Sequence, residues 1–335
     1  MAITIKDIAR VAGVSIATVS TALNDRSGVG ADTKLRVLAV AEKLGYEPNI
    51  LARSLVTKKT HTIGLIISDI SNPFFTRVVR GIEDVANENG FNLILCNTDE
   101  EGQKEKAYLR ILQGKQVDGL IIISTEKNSN HIKSLVENNI PLVLLDRKLE
   151  GLQVDSVVVD NVEGSRKATS HLIKLGHRKI GIIHGPETIM TGRDRLEGYK
   201  RALREHNLPL ESKYIKEGNF KQEGGYSRTL ELLELKNPPS ALFVTNNLMT
   251  MGAFKALKEE RIRVPEEIAL IGFDDMEWAS LASPPLTAVS QPTYRLGTSA
   301  ANLLLSRIKA PAPQEVQEVV LEPKLVIRES CGEKR

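Results

Sequence analysis

Long hydrophobic runs are missing from this sequence. The longest apolar stretches, such as residues 119–123 and 141–145, have the length of a β-strand, whereas a membrane helix needs roughly 18–20 apolar residues. The amino-terminal segment MAITIKDIAR carries Lys6, Asp7 and Arg10, where a signal peptide requires its apolar core. We therefore expect a protein that does not enter a membrane and that works in the cytoplasm.

Cysteine is scarce, and catalytic motifs are missing. The two cysteines, Cys96 and Cys331, are too few for a disulfide framework or a cysteine-based metal site. The six histidines show no metal-ligand spacing, and neither a GxSxG elbow nor a P-loop occurs. The adjacent Asp274 and Asp275 follow a predicted strand and should point to opposite sides. We expect a reduced protein without metal or cofactor that is not an enzyme.

Positive charge is concentrated at the amino terminus. The formal net charge of the 335 residues is +3, yet residues 1–61 contain nine Lys and Arg against five Asp and Glu. The remaining residues hold 36 basic and 37 acidic side chains. A local basic excess favours an anionic partner. We therefore expect such a partner for the amino-terminal segment alone.

From residue 62 onward, short runs rich in Val and Ile alternate with amphipathic segments of helical length. The predicted strands are 62–67, 91–95, 118–123, 141–145, 156–159, 179–183, 241–244 and 268–273. The predicted helices include 75–89, 103–113, 162–175, 195–206, 223–235 and 249–260. Continuous apolar strands joined by helices predict doubly wound parallel sheets covered on both faces.

The alternating pattern restarts within this core of residues 62–335. HTIGLIISD begins one array at His61, and HRKIGIIHG begins another at His177. We predict two α/β lobes with a cleft between them: lobe 1 at about residues 62–160 and 292–322, lobe 2 at about 161–291 and 323–330. Ligands of such sheets bind beyond the carboxyl ends of the strands. The loops that should face the cleft follow Ile67, Ile123, Leu145, Ile183, Val244 and Phe273.

The first residues show no strand-like run. Three short helical segments, 5–12, 16–24 and 33–44, are separated by glycine and polar residues. Gly13 allows a tight turn, and the hydroxyl of Ser15 is placed to cap the second helix. The outward face of that helix carries small and hydroxyl side chains that fit the DNA major groove. The pattern predicts a small all-α helix-turn-helix domain at residues 1–47.

A linker at residues 48–61 joins the two parts. Pro48 interrupts the helical pattern because proline disfavours helix at the residue before it. The helical stretch 49–57 that follows is too short to be stable alone in water. We expect it to fold only against a partner.

The whole chain, from about residue 4 to about residue 328, resembles the lactose/galactose repressor (LacI/GalR) family of bacterial transcription regulators. The motifs that carry the resemblance are IKDIARVAGVSIATVS, LGYEPNILARSLVTKKTHTIGLIISDISNPFF, VDGLIII, DNVEG, LGHRKIGIIHGP, GRDRLEGY, VPEEIALIGFDD and SPPLTAVSQP. The resemblance implies a homodimer with paired helix-turn-helix domains on a near-palindromic operator. It also implies a periplasmic-binding-protein-like core that binds a small effector.

The resemblance assigns operator contacts by position. Family positions that contact the operator match Ser15, Ile16, Ala17, Thr18, Ser20, Thr21 and Asn24. Phosphate or flanking contacts match Thr4, Tyr46 and Asn49, and hinge-helix residues that enter the minor groove match Ala52 and Leu55. Paired leucines there wedge open a base step and bend the duplex. Arg is frequent in the family at the position of Thr21, so a bidentate guanine contact is not available there.

Effector contacts are implied in the same way. The matching positions are Phe74, Phe75, Arg195, Phe220 and Asp274, with Thr125, Asp146, Asp160, Thr191 and Asn246 as further candidates on strand-end loops. A guanidinium, carboxylates and an aromatic face suit a polyol, since each sugar hydroxyl both donates and accepts hydrogen bonds. Ile189 lies where some purine-binding members carry a second arginine, which disfavours a purine. We expect a sugar or a sugar phosphate.

Three points stay open at this stage. A sugar-binding protein of a transporter shares the core fold, but it would leave the helix-turn-helix segment unexplained. A phosphorylated partner protein acts beside the small molecule in some relatives, and nothing in the sequence decides whether one acts here. Trp278 fits a pocket wall and a core position equally well. No heptad repeat follows LVIRES, so we expect a dimeric repressor whose effector moves the lobes and thereby orders or melts the hinge segment.

Overall fold

The computed structural model describes residues 3–23, 27–46, 59–125, 130–310 and 315–333. The chain divides into two compact units, Met1–Thr60 and His61–Arg335. Within the described ranges, no helix combines the length and the apolar character that crossing a membrane requires.

The amino-terminal unit contains three short helices: α1 (Ile5–Ala12), α2 (Ile16–Leu23) and α3 (Ala31–Lys43). They pack around Ile8, Val19 and Val37, which are fully buried. Gly13 ends α1 in the left-handed conformation, with φ of 64°, which glycine adopts without strain. The hydroxyl of Ser15 accepts a hydrogen bond from the Thr18 N–H at 3.1 Å, so the predicted cap of α2 is confirmed.

The carboxyl-terminal unit is built from alternating strands and helices. Its described strands are β1 (Thr62–Ile67), β2 (Asn92–Asn97), β3 (Gly119–Ile122), β4 (Leu142–Leu145), β5 (Asp155–Val159), β6 (Ile180–His184), β7 (Ile215–Glu217), β8 (Ala241–Val244), β9 (Ala269–Phe273), β10 (Thr287–Ser290), β11 (Glu318–Leu321) and β12 (Lys324–Val326). Its described α-helices are α4 (Pro73–Glu88), α5 (Gly102–Gly114), α6 (Asn130–Glu137), α7 (Asn161–Lys174), α8 (Met190–Glu205), α9 (Gln222–Leu233), α10 (Asn247–Glu259), α11 (Glu277–Leu281) and α12 (Thr293–Lys309). Short 3₁₀ turns occur at Ser212–Tyr214 and Glu329–Cys331.

The strands form two six-stranded sheets, one in each lobe. The sheet of lobe 1 has the order β11-β5-β4-β3-β1-β2, and its strands are all parallel. The sheet of lobe 2 has the order β12-β10-β9-β8-β6-β7, with only β12 antiparallel to its neighbour. The chain passes between the sheets after β5, after β10 and after β11. The predicted class, a helix-turn-helix domain followed by two α/β lobes, is confirmed.

Helix α12 was not predicted, although it is the longest helix described. It packs on α4 so closely that a Cβ at Gly297 would lie 2.1 Å from the Val78 carbonyl oxygen. On the α4 side, a Cβ at Gly81 would lie 2.4 Å from the Tyr294 carbonyl oxygen. The two glycines therefore allow the backbones of α4 and α12 to pack in direct contact.

Candidate functional site

The loops at the carboxyl ends of the strands meet in a pocket between the two lobes. Its lining residues are Asn72, Phe74, Phe75, Glu100, Asp146, Arg147, Thr191, Arg195, Phe220, Asn246, Asp274 and Gln291. The structure thus brings together eight of the ten effector positions assigned from sequence. This is the location expected for ligands of open α/β sheets.

The other two positions lie outside this lining and serve local structure. The hydroxyl and backbone N–H of Thr125 donate to the buried Glu105 carboxylate at 3.2 and 2.7 Å. Asp160 caps α7 by accepting a hydrogen bond from the Glu163 N–H at 2.8 Å. The structure therefore gives neither side chain a place in the pocket wall.

Arg195 lies in the second turn of α8, one turn after Thr191. Its Nε donates to Asn161 Oδ1 at 2.8 Å, and its Nη1 donates to the Thr245 carbonyl at 2.6 Å. The guanidinium also stacks on the Phe273 ring, 3.8 Å from the centroid. Burial lowers the pKa of Arg195, and the nearby Asp274 opposes this shift. Within the described residues Nη2 donates no hydrogen bond, so this edge of the guanidinium can serve a ligand.

Asp274 follows β9 and is held by lobe 2. Its Oδ1 accepts a hydrogen bond from Gln291 Nε2 at 2.5 Å, and its Oδ2 accepts one from the Asn247 N–H at 3.4 Å. Burial raises the pKa of Asp274, and the charge of Arg195 opposes the rise. The neighbouring Asp275 instead forms a two-pronged ion pair with Arg328 at 2.7 and 3.0 Å. The two adjacent carboxylates therefore have separate partners, and only Asp274 lines the pocket.

A second buried charge cluster lies on lobe 1. Both terminal nitrogens of Arg147 donate to the Glu100 carboxylate at 2.7 Å, and Nη1 also reaches the Ser124 carbonyl at 3.1 Å. Asp146 Oδ2 lies 3.5 Å from Arg147 Nε. Burial raises the pKa of Asp146 to about 6, against the opposing charges of Arg147 and Arg195. Sequence reasoning named Asp146 but missed Arg147.

Three buried polar atoms of the pocket have no hydrogen-bond partner in the part of the chain that the structure describes. They are Asp146 Oδ1, Arg147 Nε and Gln291 Oε1. Buried polar atoms are normally paired, so each exception calls for an explanation. Together with Arg195 Nη2, they offer both donors and acceptors to one ligand.

Aromatic rings complete the wall. Phe74 and Phe75 lie in the first turn of α4, where Asn72 caps the helix through the Phe74 N–H at 3.0 Å. Their rings meet edge to face with centroids 5.0 Å apart. Phe220 has φ of 60°, and its carbonyl accepts from Asn246 Nδ2 at 3.1 Å. The Arg147 guanidinium lies 5.7 Å from the Phe220 ring centroid.

Direct contacts join the lobes around the pocket. Asn247 Nδ2 of lobe 2 donates to Asn72 Oδ1 of lobe 1 at 2.6 Å. Lys221 of lobe 2 forms an ion pair with Asp69 of lobe 1. Arg77 and Glu277 form a further interlobe pair at 2.8 Å. These contacts break when the lobes separate, so the pocket and the lobe angle are physically linked.

Four lining residues were not predicted: Asn72, Glu100, Arg147 and Gln291. Arg147 directly follows Asp146 at the end of β4, so its position on a strand-end loop was visible in the sequence. Gln291 follows β10. Because β10 was not predicted as a strand, the sequence did not mark Gln291 as a residue of a strand-end loop. Trp278 is not part of the lining and packs, partly buried, against the hydrophobic clusters of both lobes.

The amino-terminal unit presents a second candidate surface. Ser15, Ile16 and Ala17 of the α2 segment are exposed, while Val19 and Ala22 on the opposite face are buried. The partly exposed positions of α2 on the outward side are Thr18, Ser20 and Thr21.

The remaining operator positions lie elsewhere. Thr4 is exposed before α1, and its N–H and hydroxyl both donate to Asp7 Oδ2, at 3.0 and 2.7 Å. Tyr46 packs, partly buried, against the core of the unit. The positions outside the described residues are Asn24, Asn49, Ala52 and Leu55, together with most of the linker.

Both units match family models. Residues 4–49 match the model of bacterial regulatory proteins of the lacI family, and residues 60–329 match that of periplasmic binding proteins and the sugar binding domain of the LacI family. The chain is 38% identical to the HTH-type transcriptional repressor PurR of Haemophilus influenzae (strain PittEE), over 98% of each chain.

Solved structures show the same similarity. A Lac repressor dimer bound to operator and the anti-inducer ONPF matches with a TM-score of 0.88 and 28% identity, over 99% of each chain. A complex of the transcriptional regulator CelR with cellobiose matches with a TM-score of 0.76 and 33% identity, over 98% of this chain and 99% of that one. The relatives are transcriptional regulators and not enzymes. The chain belongs to the LacI family of bacterial DNA-binding transcriptional regulators.

Proposed function

We propose that this regulator is a cytoplasmic, dimeric repressor whose interlobe pocket binds a neutral sugar. The observation that carries the proposal is the set of unpartnered polar atoms in the pocket that Arg195 lines. Three of them are buried, Asp146 Oδ1, Arg147 Nε and Gln291 Oε1, and Nη2 of Arg195 adds a donor that holds no hydrogen bond among the described residues. A sugar presents several hydroxyls that each donate and accept, and so it matches this mixed set.

Charge separates a neutral sugar from a sugar phosphate. The pocket is lined by two cations, Arg147 and Arg195, and by three carboxylates, Glu100, Asp146 and Asp274. Both prongs of Arg147 are already occupied by Glu100. A phosphate group would add roughly two negative charges beside carboxylates that are buried. The pocket therefore disfavours a phosphorylated ligand. A purine is also disfavoured, because Ile189 lies where some purine-binding members of the family carry a further arginine.

The DNA-binding part of the proposal rests on the amino-terminal unit. The exposed side of α2 carries small and hydroxyl side chains, and residues 1–61 hold the basic excess of the chain. Such a helix fits the major groove, and the charge supplies a salt-dependent attraction to phosphates. The Lac repressor structure is a dimer on its operator, and we propose the same arrangement here. We propose residues 1–47 as the DNA-binding domain, 48–61 as the hinge and 62–335 as the sensor.

Control follows from linkage. A sugar that contacts both lobes changes the angle between them, and the effector and the operator must then alter each other's affinity by the same factor. The test is calorimetric titration of the full-length protein with neutral mono- and disaccharides and their phosphates, followed by operator gel shifts with each ligand that binds.

Variants make this test specific. Arg195→Ala should weaken sugar binding at least a hundredfold and should leave operator binding by the ligand-free protein unchanged. Arg201→Ala, on the exposed side of the same helix, where it pairs with Glu205, is the matched control and should alter neither. Tighter binding of a sugar phosphate would refute the charge argument. Saturation with sugar that leaves operator affinity unchanged would show that a further partner, such as a phosphoprotein, is required.

A further inference from the structure

Three side chains with metal-binding atoms converge outside the pocket lining, where the carboxyl-terminal segment meets α7. His171 lies in the last turn of α7, Cys331 ends the final 3₁₀ turn, and Glu333 follows two residues later. One ligand atom from each lies within 4.8 Å of the others. We propose that these residues bind one zinc ion, which clips the carboxyl-terminal segment to α7.

The spacing of the atoms fits this metal. Zinc holds sulfur, nitrogen and oxygen ligands at about 2.0–2.3 Å in a tetrahedron, so neighbouring ligand atoms lie roughly 3.3–3.7 Å apart. His171 Nε2 and Glu333 Oε2 are 3.4 Å apart. Cys331 Sγ is within 4.8 Å of both, so a shift of about 1 Å completes three corners of the tetrahedron. The fourth corner is left for water.

Two of these atoms contact each other at 3.4 Å as an ion pair without forming a hydrogen bond. His171 Nε2 and Glu333 Oε2 are both buried and have no hydrogen-bond partner among the described residues. Buried polar atoms are normally paired, and a single cation would satisfy both. The Cys331 thiol donates to the Arg328 carbonyl at 3.3 Å. When the metal binds, the thiol gives up this hydrogen bond and releases its proton to solvent. The thiolate and the Glu333 carboxylate then balance the two positive charges of the ion, while the exposed Lys174 on the same helix is screened by water.

The surrounding fold holds the ligands in place without metal. Ser330 Oγ donates to the Leu270 carbonyl at 2.6 Å and accepts from the Thr287 N–H at 2.8 Å, which fixes the segment to β9 and β10. Cys331 is fully buried in the core of lobe 2. Gly332 has φ of 85°, a conformation that favours glycine and directs Glu333 back toward α7.

The sequence alone does not reveal this cluster of three residues. His171 and Cys331 are separated by most of lobe 2, so no ligand spacing of a known metal motif occurs, and sequence reasoning predicted no metal site. Only the fold brings the two residues together. A zinc site here is independent of the sugar pocket, and its failure would leave the proposed effector function untouched.

The experiment uses the full-length protein stripped of metal, titrated with zinc alone in a calorimeter and with Co²⁺ in an absorption spectrometer. We expect one ion per chain and a thiolate-to-cobalt charge-transfer band. Cys331→Ser should abolish the band, whereas Cys96→Ser, at the other buried cysteine, should retain it. His171→Gln and Glu333→Gln should each weaken zinc binding at least tenfold, and His177→Gln should not.

Stability gives an independent readout. Zinc binds only the folded form of such a site, so it should raise the melting temperature of the parent protein and of Cys96→Ser but not of Cys331→Ser. Glu333→Gln removes only a charge from a side chain that is 42% exposed, so this variant should fold normally. A missing cobalt band, or a zinc affinity that survives all three ligand substitutions, would show that these residues merely pack together.

Discussion

The guanidinium carbon of Arg195 lies over the ring of Phe273, 3.8 Å from the ring centroid. Asn161 Oδ1 and the Thr245 carbonyl accept hydrogen bonds from two of its nitrogens. A planar cation held in this way is already oriented for a ligand and loses little entropy on binding. The Arg195 guanidinium is therefore held in a fixed orientation in the pocket before a ligand binds.

Replacing Arg195 with Lys should show that shape matters as well as charge. An ammonium group cannot reproduce the planar guanidinium fork that contacts Phe273 and donates to both Asn161 and Thr245. We expect effector affinity to fall at least tenfold in calorimetry, with operator binding retained. Arg201→Lys is the control on the same helix and should behave as the parent protein. A lysine variant with unchanged effector affinity would mean that charge alone is recognised.

Asp146→Asn should make the effector-free protein more stable at neutral pH. Burial raises the pKa of Asp146 from 3.8 to about 6, so the folded state binds this proton more tightly than the unfolded state. Stability then falls as pH rises from about 4 to about 6, and the loss persists above that range. Asparagine removes this penalty and tolerates the left-handed backbone, with φ of 66°. We expect a gain of about 1–3 kcal/mol at pH 7.5 in urea denaturation.

Asp99→Asn is the matched control for this pH dependence. Asp99 is also left-handed, with φ of 54°, but it accepts hydrogen bonds from Lys104 and Asn97, which hold its pKa below the usual value. Its contribution to stability is present above the unfolded pKa and is lost as pH falls through the folded pKa. The two variants should therefore change the stability profile with opposite signs. An Asp146→Asn protein less stable than the parent at pH 7.5 would contradict the argument.

The capping role of Ser15 in α2 can be separated from the DNA contact that we propose for it. Ser15→Ala removes the acceptor for the Thr18 N–H and should destabilise α2 by about 1 kcal/mol. Hydrogen exchange of the α2 amides in the full-length protein measures this loss. Ser15→Asp keeps an acceptor at the cap but places a carboxylate on the DNA-facing side, so α2 should stay protected while operator affinity falls sharply. Strong operator binding by the aspartate variant would place the contact surface elsewhere.

Lys221→Gln should shift the lobes toward separation. The partly exposed Lys221 pairs with Asp69 across the cleft. Burial raises the pKa of Asp69, but hydrogen bonds from Lys221 and Ser71 outweigh this effect and hold the pKa below its usual value. Loss of the pair should cost up to about 1 kcal/mol, which lowers effector affinity by about two- to fivefold if the closed form binds the ligand. Small-angle scattering measures the separation. Lys255→Gln, which breaks a surface pair with Glu259 within lobe 2, should change neither quantity.

The central strands could be predicted because their sequences encode burial directly. The bounds of β1 and β8 agree with prediction to the residue, since both strands consist of apolar side chains and lie inside a sheet. Strands β7, β11 and β12 lie at sheet edges and carry exposed charged residues such as Glu217, Glu318 and Lys324. Their conformation depends on pairing with a neighbour, which a local pattern does not reveal.

The pocket was predictable where family positions and strand ends coincide. Asp146 and Asp274 directly follow apolar strands, and Arg195 lies in a long motif of the family. Helix α8 begins at Met190, five residues before the predicted start, so the predicted segment missed the turn that carries Thr191. Asn72 and Glu100 enter the pocket from loops held by contacts distant in sequence, Asn72 with Asn247 of lobe 2 and Glu100 with Arg147 of lobe 1, and no local signal marks them.

The three passages between the lobes have a mechanical consequence. On the side of lobe 1, two passages begin at the neighbouring strands β5 and β11, where the Asp160 N–H bonds to the Leu321 carbonyl at 3.0 Å. On the side of lobe 2, one passage begins at β10, and the passage from β11 ends at its neighbour β12. Adjacent short crossings restrict the lobes to bending about one axis. Under the proposed function, a sugar between the lobes acts as a spacer whose size sets the bending angle, while its hydroxyls set the affinity. Two sugars of equal affinity should then have opposite effects on operator affinity if they differ in size.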